Sequence, residues 1–401
     1  MTTVPGAWRR AVAGAGLLAP DGTIAQTIFA EMSALAARTG AINLGQGFPD
    51  TDGPAEVLDA ARAAIASGVN QYPPGRGFAD LRVAVAEHQQ RFYGLTVDPE
   101  TEVLVTAGAT EALASVLLGL VDGPDDEVVV FEPYYDSYAA CVALAGATLR
   151  TVPLVWPSFQ PDLDALRAAV TDSTRLILVN NPHNPTGAVF STEVLTEIVR
   201  LAHQHDAVIV TDEVYEHLTF DVPHVPVATL PGAAERTLTI SSAGKTFNTT
   251  GWKVGWVSGP ADLVDAVLAV KQFLTYSGSA PFQPAIATGL RLGDDFYASI
   301  RTAMQSQRDI LVAGLQAAGF EVSVPQGSYF TVADAAPLGF DDATVFCREL
   351  PHLAGVVAVP VTAFTTEANR SQYASLVRFA ACKKPEVISE AATRLATLAP
   401  R

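Results

Sequence analysis

Cysteine is scarce: Cys141, Cys347 and Cys382 are the three in 401 residues. Odd in number, far apart and in no C-x-x-C spacing, they offer neither a disulfide framework nor a zinc site, and they suit a reducing cytosol. Each reads as a small buried hydrophobe. Basic residues are also in short supply, 25 against 42 acidic ones, for a formal net charge of -17. The average surface therefore repels phosphate backbones and anionic headgroups, which argues against nucleic acid and membrane as partners. No apolar run reaches the roughly 20 residues of a membrane helix. Arg9-Arg10 followed by Ala11 to Ala19 imitates an export signal faintly, but Gly14 and Gly16 interrupt it and a clear A-x-A exit is lacking. A loose N-terminal arm is expected there. His203 and His205 have the spacing of a metal pair without nearby carboxylate or cysteine ligands, so no metal is expected.

What the chain does have is apolar mass: 49% hydrophobic and 17% charged residues can bury a large core. The length exceeds the usual ceiling for one domain and predicts two. From about Glu102 to Ser258 one theme recurs, a short β-branched run, a turn, then a helical pattern. Val103–Thr106, Val128–Phe131, Leu176–Asn180, Val208–Thr211, Leu238–Ser241 and Val254–Ser258 read as strands, with helices at Thr110–Leu120 and Glu193–His205 between some of them. This is an α/β pattern with a mostly parallel sheet covered on both faces. Ligands bind at the carboxyl edge of such sheets, and polar residues follow the strands at 108–110, 181–187, 212–215 and 242–245.

Gly259-Pro260 closes the last of these strands. A long helical region then runs from Ala261 to about Ala318, broken near Ser277–Pro284. The remainder reads as a smaller α+β lobe with strands at Val322–Val324, Tyr329–Ala333, Val356–Val359 and Val377–Ala380, ending in an amphipathic helix from about Pro385 to Leu398. The expected boundaries are an arm and part of the small domain at 1–45, a large domain at 46–290 and a small C-terminal domain at 291–401.

Three segments carry chemistry. Lys245 stands in a turn after a buried strand among small residues that leave room for a ligand, in Ser241-Ser-Ala-Gly-Lys245. A desolvated amine beside other cations has a lowered pKa, which is what attack on an aldehyde needs. Asp212 ends the strand Ala207 to Thr211 and can pair with a protonated pyridine nitrogen, making such a ring an electron sink. Tyr215 follows three residues later, within reach of a phenolic oxygen on the same ring. Gly244-Lys245-Thr246 also mimics a nucleotide-binding loop, but that loop needs glycine six positions before its lysine, where Thr239 stands. His183 lies in a turn that its proline and asparagine neighbours already explain.

Asn181-Pro-His-Asn-Pro-Thr-Gly187, Thr211-Asp-Glu-Val-Tyr-Glu216 and Ser241-Ser-Ala-Gly-Lys245 together resemble the class I/II aminotransferases, over nearly all of residues 23–401. Ile42-Asn-Leu-Gly-Gln-Gly-Phe-Pro-Asp50, Asn70-Gln-Tyr-Pro-Pro74, Glu132-Pro-Tyr-Tyr-Asp-Ser-Tyr138 and Gly251-Trp-Lys-Val-Gly-Trp256 resemble the branch with kynurenine, methionine and N-succinyldiaminopimelate aminotransferases.

The resemblance implies fold type I, with a mostly parallel seven-stranded sheet in the large domain and a smaller α+β domain, and pyridoxal 5′-phosphate as cofactor. It implies Lys245 as the Schiff-base lysine and proton shuttle, Asp212 at the pyridinium nitrogen, and Asn184 with Tyr215 at the phenolic oxygen. Gly108, Ala109 and Thr110 would give backbone N–H groups and a helix dipole to the phosphate, joined by Ser242 and Lys253. Tyr135 would stack on the ring. Arg378 would grip the substrate α-carboxylate through two parallel hydrogen bonds, with Gly45 and Asn184 beside it. Tyr72 would reach the phosphate of a neighbouring subunit in a homodimer with shared sites.

The reaction implied is transfer of an amino group between an amino acid and a 2-oxo acid, with N-succinyl-LL-2,6-diaminopimelate and 2-oxoglutarate as the expected pair and cytoplasmic lysine biosynthesis as the setting. Methionine, glutamine or kynurenine transamination, C–S β-elimination and C–C bond formation can run on the same residues. Tyr276-Ser-Gly-Ser-Ala280 lacks the aromatic and histidine residues of vertebrate kynurenine enzymes. Arg76, in a glycine-rich turn after Tyr72, is a candidate for a distal substrate carboxylate.

Overall fold

The computed structural model describes residue 4 and residues 6–398. Its centre is an eight-stranded sheet in the spatial order 103–106, 255–258, 237–242, 208–212, 174–180, 127–132, 148–155, 160–161. The five strands from 237–242 to 148–155 run parallel. Strand 255–258 is antiparallel to both of its neighbours, and 160–161 folds back antiparallel on 148–155.

The apolar runs are continuous because the sheet is buried on both faces. Side chains alternate between two cores. Val129, Phe131, Ile177, Val179 and Ile209 enter one, while Val128, Val130, Leu176, Leu178 and Val210 enter the other with Leu238 and Ile240. Helix Thr192–Gln204 covers the first face; Gly108–Leu120 and Ala261–Lys271 cover the second.

The C-terminal lobe holds a four-stranded antiparallel sheet in the order 321–323, 330–334, 376–380, 359–360. Helix Ile28–Thr39 joins the same core through Met32 and Ala36, and Ile42–Asn43 pairs in parallel with Val356–Val357. Residues 28–43 thus pack into the lobe in which the chain ends.

Two expectations are corrected, and one strand was missed. The large sheet has eight strands rather than seven, because the two-residue strand Gln160–Pro161 extends its edge. Strand Thr148–Val155 was not predicted; as a near-edge strand it is partly exposed and carries Pro153, so it lacks a continuous apolar run. The expected loose arm contains helix Trp8–Gly14, docked on helix Ser137–Ala145: a Cβ on Gly14 would lie 2.6 Å from that of Ala143. Small residues on both helices permit that approach. Among the described residues no helix is long and apolar enough to cross a membrane.

Candidate active site

The carboxyl ends of strands 208–212 and 237–242 deliver Asp212 and, one helical turn further on, Lys245 to one cavity of about 180 Å3. Gly108, Ala109, Thr110, Tyr135, Asn184, Asp212, Tyr215, Ser242, Lys245 and Lys253 all line it. They come from six separate segments, so the sheet edge is what gathers them.

At one end, helix Gly108–Leu120 presents its first N–H groups. Gly108 has φ +75°, a conformation that suits glycine, and a Cβ there would lie 3.2 Å from the Lys253 ammonium nitrogen. Lys253 itself is left-handed at φ 53°, a conformation non-glycine residues seldom adopt. Gly255 must also lack a side chain, since its Cβ would come within 2.8 Å of Gly108 Cα. A helix N-terminus, two hydroxyls and a lysine make a seat for a phosphate dianion.

At the other end Asp212 is 4% exposed. Its Oδ2 accepts from the Tyr138 hydroxyl at 2.7 Å. Burial pushes its carboxyl up to about 6, opposed by that hydrogen bond. A buried carboxylate held in this way fits a cationic ring nitrogen, whose charge would offset the desolvation.

Lys245 lines the same cavity. Burial lowers its pKa; Cys382 and Asp212 oppose the shift, while Arg378 and Lys253 reinforce it. Its Nζ donates to the Tyr329 hydroxyl oxygen at 3.0 Å and to the Gly47 carbonyl at 3.3 Å. A nucleophilic amine at neutral pH requires this depression.

A second cavity adjoins the first, sharing Tyr135, Asn184, Tyr215 and Lys245 and adding Phe48, Phe330 and Arg378. Arg378 is 2% exposed, donates from Nη2 to the Gly45 carbonyl at 2.8 Å and from Nη1 to Asn184 Oδ1 at 3.2 Å. Its guanidinium lies 4.2 Å from the Phe330 ring centroid and 4.7 Å from that of Phe364, and its buried Nε has no partner. Burial lowers its pKa to about 10, so it stays cationic at neutral pH. The aromatic rings hold the fork rigid, and its remaining N–H groups suit a carboxylate. Gly45 donates its N–H to Asn43 Oδ1 and has Val359 packed where a side chain would sit.

Tyr72 lies apart from the cavity of its own chain. It is 82% exposed and meets Tyr276 edge-on at 5.9 Å. Arg76 lines neither cavity of its own chain; its guanidinium pairs with Asp265 and donates to the Thr101 carbonyl. His183 is buried, with Nδ1 2.8 Å from the Thr186 hydroxyl, and burial lowers its pKa to about 3. His205 pairs with Asp172, and His203 meets the Gly232 carbonyl.

Sequence reasoning assigned nothing to Tyr138, Tyr329 or Asn180. Asn180 donates to the Asp212 carbonyl at 2.8 Å and accepts from the Asn184 N–H at 2.6 Å, locking two site residues together. Tyr138 stands in the 132–138 motif, a usable signal; Tyr329 had none beyond its strand.

Behind the Asp212 turn, Glu216, His88 and His217 also converge. The two imidazole Nε2 atoms are 2.7 Å apart, a hydrogen bond, whereas two ligands on one zinc would stand roughly 3.3 Å apart for a Zn–N distance of about 2.0 Å. Burial would raise the Glu216 pKa, but His88, His217 and the Ser241 hydroxyl hold it below the usual range. The Glu216–Ser241 bond thereby ties the Tyr215 turn to the strand that leads to Lys245.

The family model described as aminotransferase class I and II matches residues 39–395. This chain is a class I/II aminotransferase. It is 54% identical to a probable N-succinyldiaminopimelate aminotransferase of Mycobacterium tuberculosis, across 94% of this chain and 97% of the relative. The solved structure of the N-succinyldiaminopimelate aminotransferase from that organism superposes with a TM-score of 0.90 at 54% identity, covering 94% of this chain and 98% of the other. A methionine aminotransferase of Escherichia coli is 38% identical across 93% of this chain and 96% of its own length. The aminotransferase has fold type I and uses pyridoxal 5′-phosphate, as its family does. The phosphate seat, the Asp212 carboxylate and the Lys245 amine fit that group.

Proposed function

We propose that the aminotransferase moves an amino group from N-succinyl-LL-2,6-diaminopimelate to 2-oxoglutarate, a step of lysine biosynthesis. The observation that carries the substrate is 54% identity over 94% of the chain to the Mycobacterium tuberculosis protein.

Pyridoxal 5′-phosphate supplies the aldehyde that receives amino groups and the ring that takes up electrons from the α-carbon. Lys245 would be its point of attachment, and the Lys245 amine, when free, would take the α-proton and return it. Asp212 would hold the ring nitrogen cationic. Tyr215 and Asn184 would hold the phenolic oxygen, Tyr135 would pack on the ring, and Gly108, Ala109, Thr110, Ser242 and Lys253 would hold the phosphate. Arg378, with Gly45 and Asn184, orients the α-carboxylate. Donor and acceptor both carry that carboxylate beside the reacting carbon, so one grip serves both and they enter in turn.

Tyr72 completes the phosphate site of a second copy in a homodimer. Its exposure, next to Tyr276 at 48%, leaves an aromatic surface that a second chain would cover. Three free cysteines, two of them buried, support a cytoplasmic protein.

A panel of donors with 2-oxoglutarate tests the substrate: succinyldiaminopimelate should rank first in kcat/KM, above methionine, glutamine and kynurenine. Release of pyruvate and ammonia from a cysteine conjugate, in place of amino transfer, would replace the proposal with β-elimination. Borohydride reduction followed by peptide mapping should label Lys245; a label elsewhere would remove the mechanism.

A further inference from the structure

Tyr329 is 2% exposed, at the entrance to strand Phe330–Asp334 of the C-terminal lobe. Its ring stands edge-on to Tyr215 at 5.3 Å and to Phe330 at 4.8 Å. Its hydroxyl has one hydrogen, which goes to the Gly47 carbonyl at 2.5 Å. Toward Lys245 that oxygen can therefore only accept, as can the Gly47 carbonyl. Both lie within hydrogen-bond reach of Nζ, at 3.0 and 3.3 Å.

Two acceptors fix the orientation of an amine. A neutral amine has two N–H groups and one lone pair; with both hydrogens engaged, the lone pair is confined to what remains of the tetrahedron. An ammonium has three hydrogens, and its third takes that same position. The arrangement is stiff. A Cβ on Gly47 would lie 2.6 Å from the Phe330 ring, and Ser328, just before Tyr329, is fixed at φ 56° with its N–H on the Leu218 carbonyl at 2.7 Å.

We infer that Tyr329 is a positioning residue: its hydroxyl, with the Gly47 carbonyl, seats the freed Lys245 amine and points its lone pair at the substrate α-hydrogen. The inference rests on the reading of Lys245 as attachment point and proton carrier. The proton leaves the α-carbon, its bonding pair stays behind on that carbon, and the Lys245 lone pair binds the proton. The resulting ammonium is held by the same two oxygens until it gives the proton back. Orientation of a base within a bound complex is a large part of its effect.

The test is Tyr329→Phe in the holoenzyme, which keeps the ring and removes the acceptor. The expected result is a kcat lower by about tenfold or more with donor KM within about twofold. Deuterium at the α-carbon should slow the variant more than the parent, because proton transfer becomes the slower step, and cofactor content should be unchanged. A second readout does not depend on turnover. With α-methylglutamate filling the site, no α-hydrogen can be removed and the Lys245 amine stands free. The pH midpoint for its acetylation, read by peptide mapping, should fall in the variant, because an acceptor that stabilises the ammonium is gone. Unchanged kcat, isotope effect and midpoint would overturn the inference. So would a parallel loss of cofactor and rise in KM, which would make Tyr329 structural. A borohydride label away from Lys245 in the parent would instead overturn the underlying mechanism, so the two failures are distinguishable.

Discussion

Tyr138 donates its hydroxyl to Asp212 Oδ2 at 2.7 Å, joining a helix that follows one strand to the carboxylate that ends another. Asp212 lines the cavity proposed to hold the cofactor, and the hydrogen bond opposes the upward pull of burial on its carboxyl.

The pH dependence follows from that upward shift. A carboxyl raised from 3.8 to about 6 in the folded protein contributes stability below its unfolded value, and loses it as the pH rises through about 6. A bound cationic ring nitrogen removes this penalty. The gain in melting temperature on adding pyridoxal 5′-phosphate should therefore be larger at pH 8 than at pH 5. In Tyr138→Phe the crossover should move to higher pH; an unchanged crossover would contradict the assignment of Asp212.

Replacing Arg378 by Lys keeps a charge but loses the fork. Because the guanidinium is clamped between Phe330 and Phe364, a point charge cannot take up both hydrogen bonds. The expected loss in kcat/KM is about a hundredfold, on the order of 2–3 kcal/mol, for donor and acceptor alike. Steady-state kinetics with both substrates varied would show it. An effect on one substrate only would mean that the two do not share the grip.

Gly108→Ala should weaken cofactor binding without abolishing folding. The new methyl would meet Lys253 at 3.2 Å and sit at φ +75°, a strain of about 1–2 kcal/mol. Equilibrium dialysis of the cofactor should show a dissociation constant raised by about tenfold, while the unliganded variant melts within a few degrees of its parent.

Arg76→Ala should leave donor preference unchanged. Its guanidinium is held by Asp265 and the Thr101 carbonyl, outside both cavities. Comparison of kcat/KM for dicarboxylic and neutral donors checks this; a drop confined to the dicarboxylic ones would restore Arg76 to the substrate site.

Legibility in the sequence followed physical locality. Strand Val208–Asp212 is a continuous apolar run because both faces are buried, so its carboxyl end and Asp212 could be placed. Lys245, among small residues after another such run, could be placed for the same reason. Strand Thr148–Val155 escaped because partial exposure breaks its pattern, and helix Trp8–Gly14 because docking on Ser137–Ala145, rather than a strong stripe of its own, holds it.

The sequence by itself determined the sheet's principal strands, the turns that end them, and the placing of Lys245 and Asp212 in those turns. These depend on alternation, β-branched runs and turn residues, which act over a few neighbours. The tertiary structure alone decided that Tyr138 meets Asp212 across 74 positions, that Tyr329 and Gly47 meet Lys245 from two other segments, and that Arg76 turns to Asp265. Such contacts depend on how separate segments pack, and a side chain's reach across that packing leaves no periodic mark in the chain.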